Sequence, residues 1–334
     1  MAHRTNINFK AFCWWVATLA VALSFAASPL FAQGQQRDDE IVTSLSGGRV
    51  IIHAAKEAIL FVAIDQPVEQ GAPPPRLINL DGLHVGILFG ASEWRSPADP
   101  KPIRMDRNIE RFGAKDPHSG SYSGDAEPDL ETMGTAFLEK LRPLASQLRH
   151  KLDFPADQPI LEMVVIGYGP GGYGPEAWTV EFRIAQEVVS TRGDYWQTRV
   201  LRPRFTQIYP PEKHAPKTLV ETAYPPDAQV PTLQTLIEGN DPRFSALRSD
   251  AKMAKAIDFI LKGQAQKVSP EESAEILRAA VPLLYPKQRF MMGKMEEQRG
   301  FDWILPPEEP VEKAKKDDKN QPPEAPSLRR KPEQ

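Results

Sequence analysis

Short apolar runs rich in β-forming residues, separated by polar and turn residues, occupy the first part of the chain. Apolar runs at residues 50–52 and 59–64 are separated by the polar pair Lys56-Glu57, and this spacing predicts a hairpin. The segment LINLDGLHVGILFG, residues 77–90, predicts a second hairpin, because Asp81-Gly82 supplies turn chemistry between two short strands. Two successive hairpins indicate antiparallel sheet at the start of the domain.

The period changes to that of a helix after Asp129, a residue type that suits an N-cap. Pro143 is expected to kink this helix or divide it in two, since proline removes a helical hydrogen bond. The apolar residues at helical spacing are Leu130, Met133, Phe137, Leu141, Leu144 and Leu148.

Further strands and helices follow this first helix. The apolar run ILEMVVI and the alternating residues 178–184 predict two strands, and YWQTRVL predicts the return strand of a hairpin that turns at residues 192–194. Helices are predicted after Asp241-Pro242 and after Ser269, which begins a capping box. FDWIL predicts a closing strand.

The order of these elements predicts the fold class. Strands are clustered and paired as hairpins, and helices are grouped apart from them, so the pattern is not that of alternating βαβ units. We therefore expect an α+β layered sandwich of antiparallel hairpin sheets flanked by helices.

The two ends of the chain differ from the middle. Residues 1–32 combine a basic start, an apolar stretch and a small-residue site at Ala32, which predicts a cleaved signal peptide; the alternative is an uncleaved membrane anchor. Residues 306–334 are rich in proline and charge and predict a disordered tail. Residues 33–305 then form a single domain, with proline-rich excursions near 91–128 and 202–240.

Charge and cysteine content narrow the class of protein. The net charge is −3, which argues against nonspecific nucleic-acid binding. Cys13 is the one cysteine, and it lies in the predicted signal peptide, so the mature chain would have no disulfide, thiolate zinc site or cysteine nucleophile. We expect an exported protein, periplasmic or secreted. The sequence does not identify its partners, and assembly into a homo-oligomer is one of the alternatives.

The stretch VVIGYGPGGYGP has the G-x-G-x-x-G spacing of a dinucleotide-binding turn at Gly167, Gly169 and Gly172. Such a turn must open a helix, whose N-terminus holds the pyrophosphate. Here Pro175 and an alternating strand follow. The pattern predicts a glycine-rich hairpin connection, and no cofactor is expected.

Two weaker site patterns remain. Asp116, Asp125 and Asp129 place carboxylates close together, as calcium sites do, but their spacing matches no EF-hand loop, so an ordinary exposed loop is favoured and no metal is expected. The tryptophans Trp94, Trp178 and Trp196 could line a carbohydrate-binding surface, although packing in a core or sheet is the more common role.

Four sequence segments are informative because of the order in which they occur: AILFVAID, RLINLDGLHVGILFGAS, ILEMVVIGYG and VSPEESAEILRAAV. Together they resemble the proteasome-like branch of the N-terminal-nucleophile hydrolases, over roughly residues 45–305. The resemblance implies two stacked sheets flanked by helices. It also implies a nucleophile freed as the first residue of the chain, whose own amine acts as the general base.

The site residues that the resemblance implies depart from the family pattern. The nucleophile position falls near Gly48 and Arg49, and the nearest hydroxyl groups include Ser44 and Ser46. Asp65 matches the catalytic-site aspartate. The active-site lysine corresponds to Arg76, and arginine does not readily lose its proton. The weak catalytic candidates are therefore Ser46, Ser44, Asp65 and Arg76.

Three functions are consistent with these patterns. The first is a non-catalytic binding or assembly protein on a proteasome-like fold. The second is a peptide or amide hydrolase activated by a second N-terminal cut at Ser44 or Ser46. The third is a surface carbohydrate-binding module.

Overall fold

The computed structural model describes residues 41–67, 72–80, 83–96, 99–107, 130–152, 158–169, 174–189, 196–210, 218–226 and 232–307. Their fold is mixed α+β, with antiparallel sheets flanked by helices, as the order of elements predicts. The predicted signal peptide, residues 1–32, and nearly all of the predicted tail lie outside the described residues.

The larger sheet, sheet A, has the strand order β1-β5-β7-β8-β11, with β4 and β6 also paired to the long strand β5. All of its pairings are antiparallel. Its strands are β1 (Val42–Ser46), β4 (Arg76–Asn79), β5 (His84–Ser96), β6 (Asp99–Arg104), β7 (Leu161–Gly169), β8 (Gly174–Phe182) and β11 (Arg204–Tyr209).

The second sheet, sheet B, has the order β12-β2-β3-β13-β14, again antiparallel throughout. Its strands are β2 (Gly48–Ala55), β3 (Ala58–Asp65), β12 (Leu219–Tyr224), β13 (Phe290–Glu296) and β14 (Gly300–Leu305). A separate hairpin consists of β9 (Ile184–Val188) and β10 (Trp196–Val200).

The helices form two outer layers. Helix α1 (Leu130–Ala145) packs on sheet A, and four helices pack on sheet B: α2 (Leu233–Glu238), α3 (Ser245–Ser249), α4 (Ala251–Leu261) and α5 (Pro270–Leu284). Short 3-10 turns lie at Pro242–Phe244 and Ala265–Lys267.

Three apolar clusters fill the spaces between these layers. One lies between α1 and sheet A, one between sheet B and its helices, and the third between the two sheets. Alternation along β2 explains the division, because Val50 and Ile52 face the other sheet whereas Ile51 faces the helices. The architecture is therefore a four-layer helix–sheet–sheet–helix sandwich.

Several predicted elements are confirmed. Strands β2 and β3 form the first hairpin, β4 and β5 pair as expected, and β9 and β10 form the late hairpin. Helix α5 begins at the predicted capping box, in which Ser269 accepts from the Glu272 amide and the Glu272 carboxylate accepts from the Ser269 amide.

Other predictions differ from the structure. Pro143 does not divide the first helix, since it lies in the last turn of α1 and only two helical residues follow it. The helix predicted after Asp241 is interrupted at Asp250, whose side chain caps α4 by accepting from two backbone amides. Both proline-rich excursions contain regular elements: β6 in the first, and β11, β12 and α2 in the second.

His53 lies on β2, fully buried on the helix side of sheet B, and neither ring nitrogen has a hydrogen-bond partner. Burial lowers the pKa of His53 from its ordinary value of 6.5 to about 4. Between pH 6.5 and about pH 4, His53 is therefore protonated in the unfolded chain but not in the folded chain.

We expect the free energy of unfolding to fall as the pH is lowered through that window, by about 3 kcal/mol in total. The His53→Leu variant should lack this component, because leucine fills a similar volume and does not titrate. Urea unfolding of both proteins at about pH 7, 5.5 and 4 measures the difference. Equal losses of stability in the two proteins would contradict the assignment.

Candidate functional site at one end of the sandwich

Two rows of residues meet where the sheets end. In sheet B, cross-strand register places Tyr224, Gly48 and Asp65 side by side. In sheet A, it places Phe89, Glu162, Glu181 and Arg204 side by side. We call this region the Gly48 end and define it by Gly48, Asp65, Phe89, Glu162 and Tyr224.

The two sheets approach closely at the Gly48 end. A Cβ atom added at Gly48 would lie 2.6 Å from a ring carbon of Phe89 and closer still to the carbonyl oxygen of Ile64. Gly90 has φ +80°, and a Cβ there would lie 2.8 Å from the hydroxyl of Tyr224. The Phe89 and Tyr224 rings stack with centroids 6.4 Å apart. No side chain fits at Gly48, one of the two positions near which the resemblance would place a nucleophile.

The main chain changes from one sheet to the other just before Gly48. Strand β1 pairs with β5 in sheet A, and β2 pairs with β3 in sheet B, so the chain changes sheets between Ser46 and Gly48. The Gln66 amide donates to the Gly47 carbonyl oxygen at 3.1 Å. Strand pairing therefore holds the chain in place both before and after it crosses between the sheets.

Ser44 and Ser46 lie on β1. Ser46 is fully buried, and its hydroxyl donates to the Gly90 carbonyl oxygen at 3.1 Å. The Ser92 hydroxyl in turn donates to the Ser46 Oγ at 3.5 Å. Ser44 is partly buried and sits opposite Glu93. Both candidate nucleophiles are thus inside a paired strand.

Asp65 and Arg76 lie on different faces of the structure. Asp65 points between the sheets, and its Oδ2 accepts from Arg289 at 2.8 Å, while its buried Oδ1 has no partner. Arg76 is opposite Leu88, which packs against α1, and it donates to Glu93 at 2.6 Å. The structure does not bring the sequence-predicted residues together as a catalytic set.

Glu162 is a candidate site residue that the sequence reasoning did not single out. It alternates with Val164 and Ile166 along β7, so its side chain points between the sheets. Glu162 is buried, and its Oε1 has no hydrogen-bond partner. Burial, followed by the charge of Glu181, raises the pKa of Glu162 to about 8.

Glu181 lies directly opposite Glu162 in a different electrostatic environment. Arg183 donates to Glu181 Oε2 through two nitrogens, at 3.1 and 2.7 Å. The raised pKa of Glu162 favours the protonated form, which can donate, and this group lies beside Glu181, which is paired with Arg183. A buried acid with a perturbed pKa beside a specific charge partner is a candidate for a functional site. The signal in the sequence was a glutamate inside the apolar run ILEMVVI.

The tryptophans do not form an exposed row. Trp94 is fully buried and donates to the Ala91 carbonyl oxygen at 2.9 Å. Trp178 packs partly against the core under α1, and its indole donates to Glu176 at 3.0 Å. Trp196 lies on the separate hairpin. Packing is therefore the main role of Trp94 and Trp178.

The glycine-rich stretch forms the predicted hairpin connection. Strands β7 and β8 pair as far as Gly169 and Gly174, and residues 170–173 lie outside the described residues. A Cβ at Gly167 would lie within 2.7 Å of the His84 ring, so glycine is required where β7 runs beside β5. A strand, not a helix, follows the cluster.

The acidic cluster of Asp116, Asp125 and Asp129 lies outside the described residues. Within the described ranges there is no group of three or more metal-ligating side chains. In the same part of the chain, no helix has the length and hydrophobicity to cross a bilayer. Searches against protein-family models and curated proteins give no match to this chain.

The raised pKa of Glu162 predicts a pH dependence opposite in sign to that of His53. Between its ordinary value of 4.5 and about 8, the folded protein keeps a proton that the unfolded chain has lost. The free energy of unfolding therefore falls as the pH rises through this window. From about pH 4 to pH 9, the Glu162→Gln variant should gain up to about 5 kcal/mol relative to the parent protein.

Urea unfolding of the two proteins across this range measures the effect. The Glu181→Gln variant is the matched control, because removal of the neighbouring charge should lower the pKa of Glu162 without abolishing its titration. A stability difference between parent and Glu162→Gln that does not change with pH would show that Glu162 is ionised in the folded protein.

Proposed function

We propose that this chain is an exported, non-catalytic binding or assembly protein on a proteasome-like scaffold. The four-layer order of helices and sheets supports the scaffold, since two antiparallel sheets enclosed by helices are what the family resemblance implies. The N-terminal sequence pattern supports export.

The proposal rests on the close packing around Gly48, which leaves no room for a side chain. A terminal nucleophile needs a side chain and a free amine at the open end of a strand. Gly48 has no side chain, and Phe89 and the Ile64 carbonyl oxygen leave no room for one. Hydrolysis by this mechanism has no nucleophile at that position.

The remaining charged groups favour structural and binding roles. Arg289 engages Asp65, and Glu93 engages Arg76. At the edge of the Gly48 end, the Glu181–Arg183 pair is partly exposed, with side chains 18% and 28% accessible. Beside a protonated Glu162, this pair offers donors and acceptors to a polar ligand, so we assign ligand contact to this edge.

The N-terminal residue of the purified mature protein tests the proposal. We expect a start at Gln33, or retention of Met1 if the segment stays as an anchor. The Ser44→Ala and Ser46→Ala variants should have the same N-terminus as the parent, because processing would not depend on either hydroxyl. A mature chain that begins at Ser44 or Ser46, and whose processing is blocked by alanine there, would instead establish the hydrolase.

A further inference from the structure

A basic segment links the separate hairpin to sheet A. Residues 196–204, WQTRVLRPR, contain Arg199, Arg202 and Arg204 and no acidic residue. All three arginine side chains are exposed. They lie within six consecutive residues, a span of at most about 18 Å even in a fully extended chain.

In the part of the chain that the structure describes, these arginines differ from most others in having no carboxylate partner. Within the described ranges, none of the three forms a salt bridge. The acidic residue opposite Arg204 in register is Glu181, which already pairs with Arg183. Nine other arginines do form salt bridges: Arg49, Arg76, Arg95, Arg104, Arg142, Arg183, Arg243, Arg289 and Arg299.

Exposed apolar groups accompany the arginines. Leu201 lies between Arg199 and Arg202 and is 40% exposed, and Val188 at the end of β9 is 51% exposed. Trp196 pairs with Val188 across the hairpin, and the Lys151 ammonium lies 5.7 Å from the centre of the Trp196 ring. Alternation along β10 places Trp196 on the face that carries the buried residues Thr198 and Val200, opposite to Arg199, so we define the hairpin surface as Arg199, Leu201, Arg202 and Arg204.

The hairpin that carries this surface is held in a fixed place. The Thr198 hydroxyl donates to the Leu148 carbonyl oxygen at 3.2 Å, and the Gln186 amide donates to the His150 carbonyl oxygen at 3.0 Å. Both contacts tie the hairpin to the chain just after α1. The cations are thus presented from a rigid frame, so little conformational entropy is lost when they bind.

We propose that the hairpin surface docks onto a bilayer that carries anionic phospholipids. Guanidinium groups match phosphate oxygens with paired N–H donors, and each basic residue near an anionic bilayer adds to the attraction. Because the whole chain has a net charge of −3, the attraction depends on this local cluster. Leu201, 40% exposed between two of the arginines, favours a lipid interface over a soluble polyanion, since an exposed apolar side chain partitions into the headgroup region.

Vesicle co-sedimentation of the full chain tests the proposal. Vesicles of phosphatidylcholine alone are compared with vesicles in which about a third of the lipid is phosphatidylglycerol, a composition that gives an anionic surface. The parent protein should partition more strongly to the anionic vesicles. Replacement of Arg199, Arg202 and Arg204 by glutamine should reduce that partition by about fivefold per residue, roughly 100-fold in all.

The matched control replaces Lys252 and Lys255 of α4 and its C-cap residue Lys262 by glutamine, which removes the same charge from the opposite outer layer. It should retain the parent's preference for anionic vesicles. The N-terminal apolar segment is identical in all of these proteins, so it contributes equally to each. Circular dichroism confirms that the variants fold.

Equal partition of the parent protein and the arginine variant would overturn the proposal. The Leu201→Asn variant separates a bilayer from a soluble polyanion, because the proposal expects its binding to anionic vesicles to be several-fold weaker than that of the parent. Unchanged binding of that variant would also overturn the membrane assignment. None of these outcomes depends on the N-terminal residue of the mature protein, which tests the proposed function separately.

Discussion

The close approach of the two sheets at Gly48 and Gly90 is the constraint on which the Gly48 end depends. Neither position has room for a β-carbon, and the stacked rings of Phe89 and Tyr224 occupy the space between them. The Tyr224 hydroxyl donates to the Pro159 carbonyl oxygen at 2.7 Å, which ties the edge strand of sheet B to the start of β7. The sheets are thus joined at this end by packing and by a hydrogen bond.

This closure determines the chemistry of the charged groups nearby. Glu162 sits beside the aromatic pair, excluded from water, and this desolvation is the main cause of its raised pKa. Glu181, one strand further out, is partly exposed and has Arg183 as a counter-ion. Two carboxyl groups on neighbouring strands therefore have different environments, because one lies under the second sheet and the other lies at its edge.

Much of the fold, but little of the site, was predictable from the sequence. The short apolar runs of residues 50–64 on either side of Lys56-Glu57 and the capping box at Ser269 are local signals, and both elements form as predicted. Strand β13 was not predicted, because FMMGKME alternates poorly and is defined by its neighbours β3 and β14. The separation of Asp65 from Arg76 depends on which face of a sheet each occupies, and only long-range pairing decides that.

The Gly48→Ala substitution tests the central claim most directly, with Gly174→Ala as its control. Gly174 also has a restricted backbone, with φ +91°, but a Cβ there would contact nothing within 4 Å. The account predicts a loss of about 3 kcal/mol or more in the free energy of unfolding for Gly48→Ala, against about 1 kcal/mol for the control. A Gly48→Ala protein as stable as the control would contradict a closed Gly48 end.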